Sequence, residues 1–252
     1  MSTIENYNRC GEEFERLLLL RTSPLAVKML KKEEEIPKDA IRPRRDRGFH
    51  LSQCQAFAMS RRQRITVAML KEDNWCWAPL IGFGLVDSRA AEKIEATKNQ
   101  VKILPRFEYG KYLGIISSSL RAASFEPDLV IIYSNAAQLR SMLLAIKYQE
   151  GILVDSQFDP INSCVYAIVP VMLTSQYRIN LPCAGEHYRA MPGEDEFIFS
   201  IPKDKIEGLI SELREAEKMK TGYTYFDFEM RPDFQRPEFY KELFRMWGLD
   251  VE

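Results

Sequence analysis

Pro127-Asp128-Leu129-Val130-Ile131-Ile132-Tyr133, followed by the helix-patterned stretch Ala136 to Tyr148 and then by Gly151, decides the class of this chain. The apolar run is too short for a core helix and is rich in β-branched residues, so it reads as a strand. It does not alternate, which marks a strand covered on both faces. The next segment has helical spacing, and Gly151 is a C-terminal cap able to take the left-handed conformation. A strand buried on both sides and a helix directly after it require layers of helix against sheet.

Outward from that point the same vocabulary repeats. Asn6 to Leu20 is an amphipathic helix with Phe14, Leu17, Leu18 and Leu20 as its apolar stripe, and Leu25 to Leu30 is a short apolar strand. Lys31 to Arg47, charged and holding two prolines, reads as a solvated loop. Ser52 to Arg62 has helical spacing and Gln63 to Met69 has strand alternation. Tyr112 to Ser117 and Glu196 to Ile201 are strands, and Asp204 to Met219 is an amphipathic helix with Ile206, Leu209, Ile210 and Leu213 on one side. The expected class is therefore α/β in the mixed α+β sense.

Two stretches invite superposition. Gln53 to Met59 and Gln138 to Leu144 both open helices; each is followed by a short apolar strand, Ile65–Leu70 in one case and Gly151–Val154 in the other; each then reaches a cysteine, Cys76 or Cys164. The spacing differs by about three residues, an ordinary loop difference. The reading is an internal duplication: two pseudo-symmetric helix-on-sheet halves, about 24–120 and 121–220, within a single compact domain 1–252. A C-terminal tail, 221–252, would pack on the body or a partner subunit. In this pairing Cys76 and Cys164 are equivalent.

Composition narrows the function. The 252 residues carry a formal net charge of −1, with 46% apolar and 28% charged residues. No global field draws the chain to nucleic acid or to an anionic membrane. No apolar run approaches the ~20 residues of a membrane helix, and the acidic N-terminus with its short Leu17–Leu20 run is not a secretory leader. A cytoplasmic location is expected. In that reducing setting, five cysteines do not form a disulfide framework. Gly-x-Gly-x-x-Gly, Walker A and Gly-x-Ser-x-Gly patterns are absent, so nucleotide-phosphate cradles and nucleophile elbows have no support.

Several segments together carry a resemblance: Ser23-Pro24-Leu25-Ala26-Val27-Lys28; Cys54-Gln55-Ala56 at a helix start; Cys76 with the run to Gly82 and Phe83; Phe125-Glu126-Pro127-Asp128-Leu129-Val130; and Cys183-Ala184-Gly185 with Asp195-Glu196 and Ser200-Ile201-Pro202. They resemble domain of unknown function family 169, found largely in anaerobic bacteria and archaea. The resemblance implies no established reaction; its anaerobic setting implies an oxygen-sensitive metal centre.

The candidate residues are read accordingly. Cys54, Cys76, Cys164 and Cys183 are expected to gather as metal ligands, since iron–sulfur clusters, 4Fe–4S above all, take thiolates, commonly four. No Cys-x-x-Cys occurs, which removes zinc ribbons and thioredoxin-like chemistry. The competing reading makes all four small buried hydrophobes, as Cys10 is taken to be. Trp75, Trp77 and Phe83 are expected to shield the centre. His50 lies four residues before Cys54 and His187 four after Cys183, a spacing that shares a helix face; each is a candidate haem axial ligand or general base. Arg42, Arg44, Arg45, Arg47, Arg61, Arg62 and Arg64 form the densest positive region, suited to haem propionates, a small anionic ligand or an acidic partner; otherwise they are a solvated loop and helix end. Haem, with Arg61 and Arg62 toward its propionates, is the alternative cofactor. A binding module with no redox chemistry, or an interaction protein docking through Tyr223 to Tyr240, are the alternative functions. A redox partner protein and a homo-oligomer are the expected associations.

Overall fold

The computed structural model describes residues 2–224 and 237–249. Ser2 caps the first helix, α1 (Thr3–Leu18): its hydroxyl accepts the Glu5 amide, and the Glu5 carboxylate accepts the Ser2 amide at 2.7 Å. This reciprocal cap satisfies amide donors that a helix start otherwise leaves open. Cys10, Phe14, Leu17 and Leu18 form the buried stripe. The chain continues through β1 (Leu25–Leu30), α2 (Pro43–Arg47), α3 (Gln53–Gln63), β2 (Val67–Leu70), α4 (Trp77–Gly82), α5 (Arg89–Glu92), α6 (Glu95–Ile103) and β3 (Gly114–Ser119). Then come β4 (Leu129–Ser134), α7 (Ala136–Glu150), α8 (Ser163–Tyr166), α9 (Val169–Thr174), β5 (Arg178–Asn180), α10 (Ala184–Ala190), β6 (Phe197–Pro202), α11 (Ile206–Lys218) and α12 (Glu238–Met246).

The strands form one sheet in the order β2-β3-β1-β4-β6-β5, antiparallel at every pairing. β4 is central and buried at all six positions, as its unbroken apolar run requires. One face carries Leu25, Val27, Val67, Met69, Ile115, Leu129, Ile131, Tyr133 and Ile198 and packs against α3, α4, α8 and α9. The other carries Ala26, Leu30, Ala68, Ile116, Val130, Ile132, Phe199 and Ile201 and packs against α1, α7 and α11. The class is mixed α+β, with helices on both faces of the sheet.

The strand order reads the same from either edge. β1, β3 and β2 run outward from the centre on one side; β4, β6 and β5 do so on the other. Facing is preserved: Leu25 and Leu129, and Ile115 and Ile198, look to the α3 face, whereas Ala26 and Val130, and Ile116 and Phe199, look to the α1 face. This topology revises the expected cysteine pairing. Gly151–Val154 forms no strand; the strand in the place of β2 is β5, which follows Cys164. Cys164 therefore corresponds by topology to Cys54, each on a helix between the first and second strands of its half. Cys76 corresponds to Cys183, each following the second strand and capping a short helix.

Other expectations are corrected locally. The stretch taken as a solvated loop contains α2, and Arg42 at its start is buried against Asp73. Of the proposed tail, residues 225–236 and 250–252 lie outside the described residues, and α12 buries none of its side chains. Among the described residues no helix is long and apolar enough to cross a membrane.

Candidate functional site

The four cysteines singled out above come from four separate elements on the same face of the sheet. Cys54 lies in the first turn of α3, behind a cap in which the Ser52 amide and hydroxyl bond the Gln55 side chain. Cys164 sits in α8, Cys76 caps α4 and Cys183 caps α10. α10 packs on α3 and α4 packs on α8. These two packings draw the elements together. The thiols feel one another: the fields of Cys76, Cys54 and Cys183 all reach Cys164, and that of Cys183 reaches both Cys54 and Cys76. Cys54, Cys164 and Cys183 are buried, and Cys76 is the least enclosed of the four. Cys10 lies across the sheet among the α1 contacts.

Burial sets the protonation of this group. Desolvation pushes the Cys54 thiol up to about 11, opposed by its hydrogen bond with the Ser52 hydroxyl. The Cys76 thiol is also pushed up by burial, against the Ala78 amide and the nearby Arg189 charge. Cys164 is driven well above the ordinary thiol range by burial and then by the other three cysteines. These three are neutral thiols at neutral pH. The Cys183 sulfur accepts the Glu186 amide at 3.3 Å.

A buried polar network adjoins the thiols. Glu186, 1% exposed, accepts the Tyr133 hydroxyl at 2.5 Å and the Ser163 hydroxyl at 2.8 Å. Desolvation raises its pKa, while Tyr133, Ser163 and Arg61 oppose the rise. Tyr133 is raised as well, first by burial and then by the Glu186 charge. Arg61, 2% exposed, lies 3.8 Å over the Tyr133 ring, pairs with Glu196 at 3.2 Å and bonds Thr22. Three buried side-chain amides within three residues of a cysteine in the sequence have unmet atoms: both ends of Gln53, the Asn74 oxygen and the Asn180 nitrogen. An unpaired buried amide is costly, and each instance needs a physical account.

The remaining candidates are placed differently. His50 is exposed and precedes the α3 cap, so it shares no helix face with Cys54. Cys183 is extended at its cap, so helical spacing does not align it with His187 either; the His187 ring lies 3.9 Å from Glu194. Arg61 is engaged by Glu196, and Arg62 donates to the Met191 carbonyl. Phe83 is fully buried, whereas Trp75 is half-exposed with the Arg189 guanidinium 4.3 Å above its ring. Glu186, Ser163, Tyr133, Glu196 and Arg189 were not found by sequence reasoning. Glu186 and Arg189 stand three and six residues after Cys183, and that nearness in sequence was the available signal.

Among the described residues no group of three or more His, Cys, Asp or Glu side chains stands close enough to hold a metal ion. The sequence profile of domain of unknown function family 169, described as uncharacterised ArCR, matches residues 13–212. The chain belongs to this family. The match takes in all four clustered cysteines and their helices. No curated protein matches the chain, and no solved structure does.

Proposed function

We propose that this family member binds an iron–sulfur cluster through Cys54, Cys76, Cys164 and Cys183, and serves a redox role. The observation that carries the reading is that four cysteines from four separate elements share one electrostatic neighbourhood. Nothing local in the sequence requires that. A mononuclear zinc site holds its sulfur ligands at about 2.3 Å from the metal, and among the described residues no group of three or more such side chains is placed to do so. A multi-iron cluster takes its ligands at a wider separation, roughly 6–7 Å between cysteine sulfurs.

The chain's own residues supply the rest. Phe83 and the α8–α9 segment keep water from the buried thiols. Cys76, the least enclosed, marks the side open to solvent. Glu186 stays within hydrogen bonds from Tyr133 and Ser163, and the Arg61–Glu196 pair holds that framework in place. Ligation requires thiolates, so loading releases the protons that burial holds on Cys54, Cys76 and Cys164. When bound, the cluster supplies one-electron chemistry, which calls for a partner protein at this face. The alternative of haem finds less support: His50 precedes the cap of the helix it was expected to share, and Arg61 is already paired.

The test is anaerobic purification followed by loading with ferrous iron and sulfide. The expected protein is brown, holds about four iron atoms per chain, and loses colour and iron in Cys76→Ala and Cys164→Ala. A colourless product without stoichiometric iron overturns the reading, and a Soret band would replace it with haem.

A further inference from the structure

The rim of the thiol site combines exposed aromatic side chains with arginines that lack acidic partners. A short parallel bridge joins Leu51 to Asn74, and the Trp75 amide donates to the Leu51 carbonyl at 3.2 Å. This sets the Arg47–His50 segment beside Trp75. Arg189 from α10 stacks on Trp75. Beyond it, the Met191 carbonyl accepts Arg62 from the end of α3. The rim is thus one continuous surface running from α2 past Trp75 to the end of α10, with Cys54, Cys76 and Cys183 on the elements behind it.

Its composition is distinctive. Phe49 is 47% exposed, Trp75 49%, Tyr188 88% and Met191 69%. Among the described residues no carboxylate lies within ion-pair distance of Arg44, Arg47, Arg62 or Arg189, although most arginines elsewhere in the fold are paired. Of the two acids on the rim, Asp46 is engaged by Arg45 and the Arg42 amide, and Glu194, exposed, stands 3.9 Å from His187. Aromatics, methionine and arginine are the residues enriched where proteins meet, and they supply most of the energetic anchors.

We infer that this rim docks a partner protein that presents a carboxylate-rich surface around an apolar centre. Charge complementarity selects that occupant. A second copy of this chain in a two-fold dimer would set the same patch against itself and bring arginine onto arginine. Guanidinium groups pair with carboxylates in a fixed bidentate geometry, and the rim offers arginine without a single lysine. A small anion would use the guanidinium groups but leave the four large apolar side chains bare. The inference rests on the proposed metal centre for its purpose only, as the surface through which that centre meets its partner; the binding itself requires no metal.

The experiment uses the full chain, both metal-free and after anaerobic loading, with a strongly acidic plant-type ferredoxin as the probe and a basic cytochrome c as comparator. Calorimetry at low ionic strength should show ferredoxin binding and no cytochrome binding. Raising the salt to about 0.2 M should weaken the complex sharply, since exposed charges are then screened within less than 10 Å. Arg47→Glu, at an exposed position, and the double variant Arg47→Glu/Arg189→Glu should weaken binding by about tenfold or more. Arg140→Glu on α7, across the sheet, should change nothing. Absence of ferredoxin binding at low salt, or equal loss in Arg140→Glu, overturns the inference. Self-association that obscures the site would assign the rim to a second copy, and capture by phosphatidylglycerol vesicles in place of ferredoxin would assign it to a membrane; either result also overturns it. A chain that binds ferredoxin but holds no iron sinks the metal centre alone. One that holds iron but ignores ferredoxin at low salt sinks the docking surface alone.

Discussion

Replacing Glu196 with leucine is expected to be among the most damaging single changes in this protein, and Arg61 is the reason. Arg61 is the largest fully buried side chain among the described residues. Its charge is balanced by Glu196 through three hydrogen bonds near 3.2 Å, with the Tyr133 ring beneath it and Thr22 beside it. Glu196→Leu removes the one carboxylate that pairs with it among the described residues and leaves a cation in a dry interior, while the Gly193 amide loses its acceptor as well. Breaking a buried pair from one side costs about 3–5 kcal/mol. Against a total of about 5–15 kcal/mol for a folded domain, that is about a fifth of the stability or more. Arg61→Met should cost a similar amount, because Glu196 is then the unpaired buried charge. The double variant Arg61→Met/Glu196→Leu removes both charges and should be more stable than either single one, since a buried pair can be exchanged for apolar groups at little net cost. Urea unfolding of all four chains followed by circular dichroism measures the cycle. A Glu196→Leu loss under about 1 kcal/mol, or a double-variant loss equal to the sum of the two singles, refutes the argument that the pair is energetically coupled and dry.

Two further outcomes follow from the thiol site. The Cys54 thiol is raised by burial, so the metal-free fold gains its full share of stability from that group below about pH 9 and loses it as the pH climbs through about 11. At about 1.36 kcal/mol per pKa unit, the share is about 2–3 kcal/mol; the urea midpoint should fall across that window in the wild type and fall less in Cys54→Ala, and a flat midpoint up to pH ~10.5 would contradict the assigned burial. Gly82 on α4 has room for no side chain, since an added Cβ would meet the Val165 methyl at 2.5 Å. Gly82→Ala should destabilise by about 1–3 kcal/mol through overpacking and lower the iron content, and a second change, Val165→Ala, should restore both; iron lost in Gly82→Ala but not recovered in the double variant would count against α4–α8 packing as the feature that sets the site.

Local sequence determined the elements. The unbroken run Leu129–Tyr133 can only be satisfied between two helical layers, and the stripe on α1 and the run Ile206-Leu209-Ile210-Leu213 on α11 needed no knowledge of their partners. The short β-branched runs marked β1, β2, β3 and β6 for the same reason, and the four cysteines stood out by residue type. What only the tertiary structure decided is which segments face one another. Sheet order is a matter of long-range pairing, and it moved the counterpart of Cys76 from Cys164 to Cys183, because the apolar run after α7 makes no strand and Arg178–Asn180 does. The fates of the charged residues were equally hidden. In the sequence Arg61 reads as a propionate ligand or part of a solvated helix end, and Glu186 does not stand out; Arg61, Glu186 and Glu196 are buried because each finds a partner far along the chain, Glu196 for Arg61 and Tyr133 for Glu186. A buried charge is stable only where that partner is present. Residue type therefore identified the cysteines, but only the fold packs α10 on α3 and α4 on α8, setting the elements of Cys183 and Cys54, and of Cys76 and Cys164, side by side.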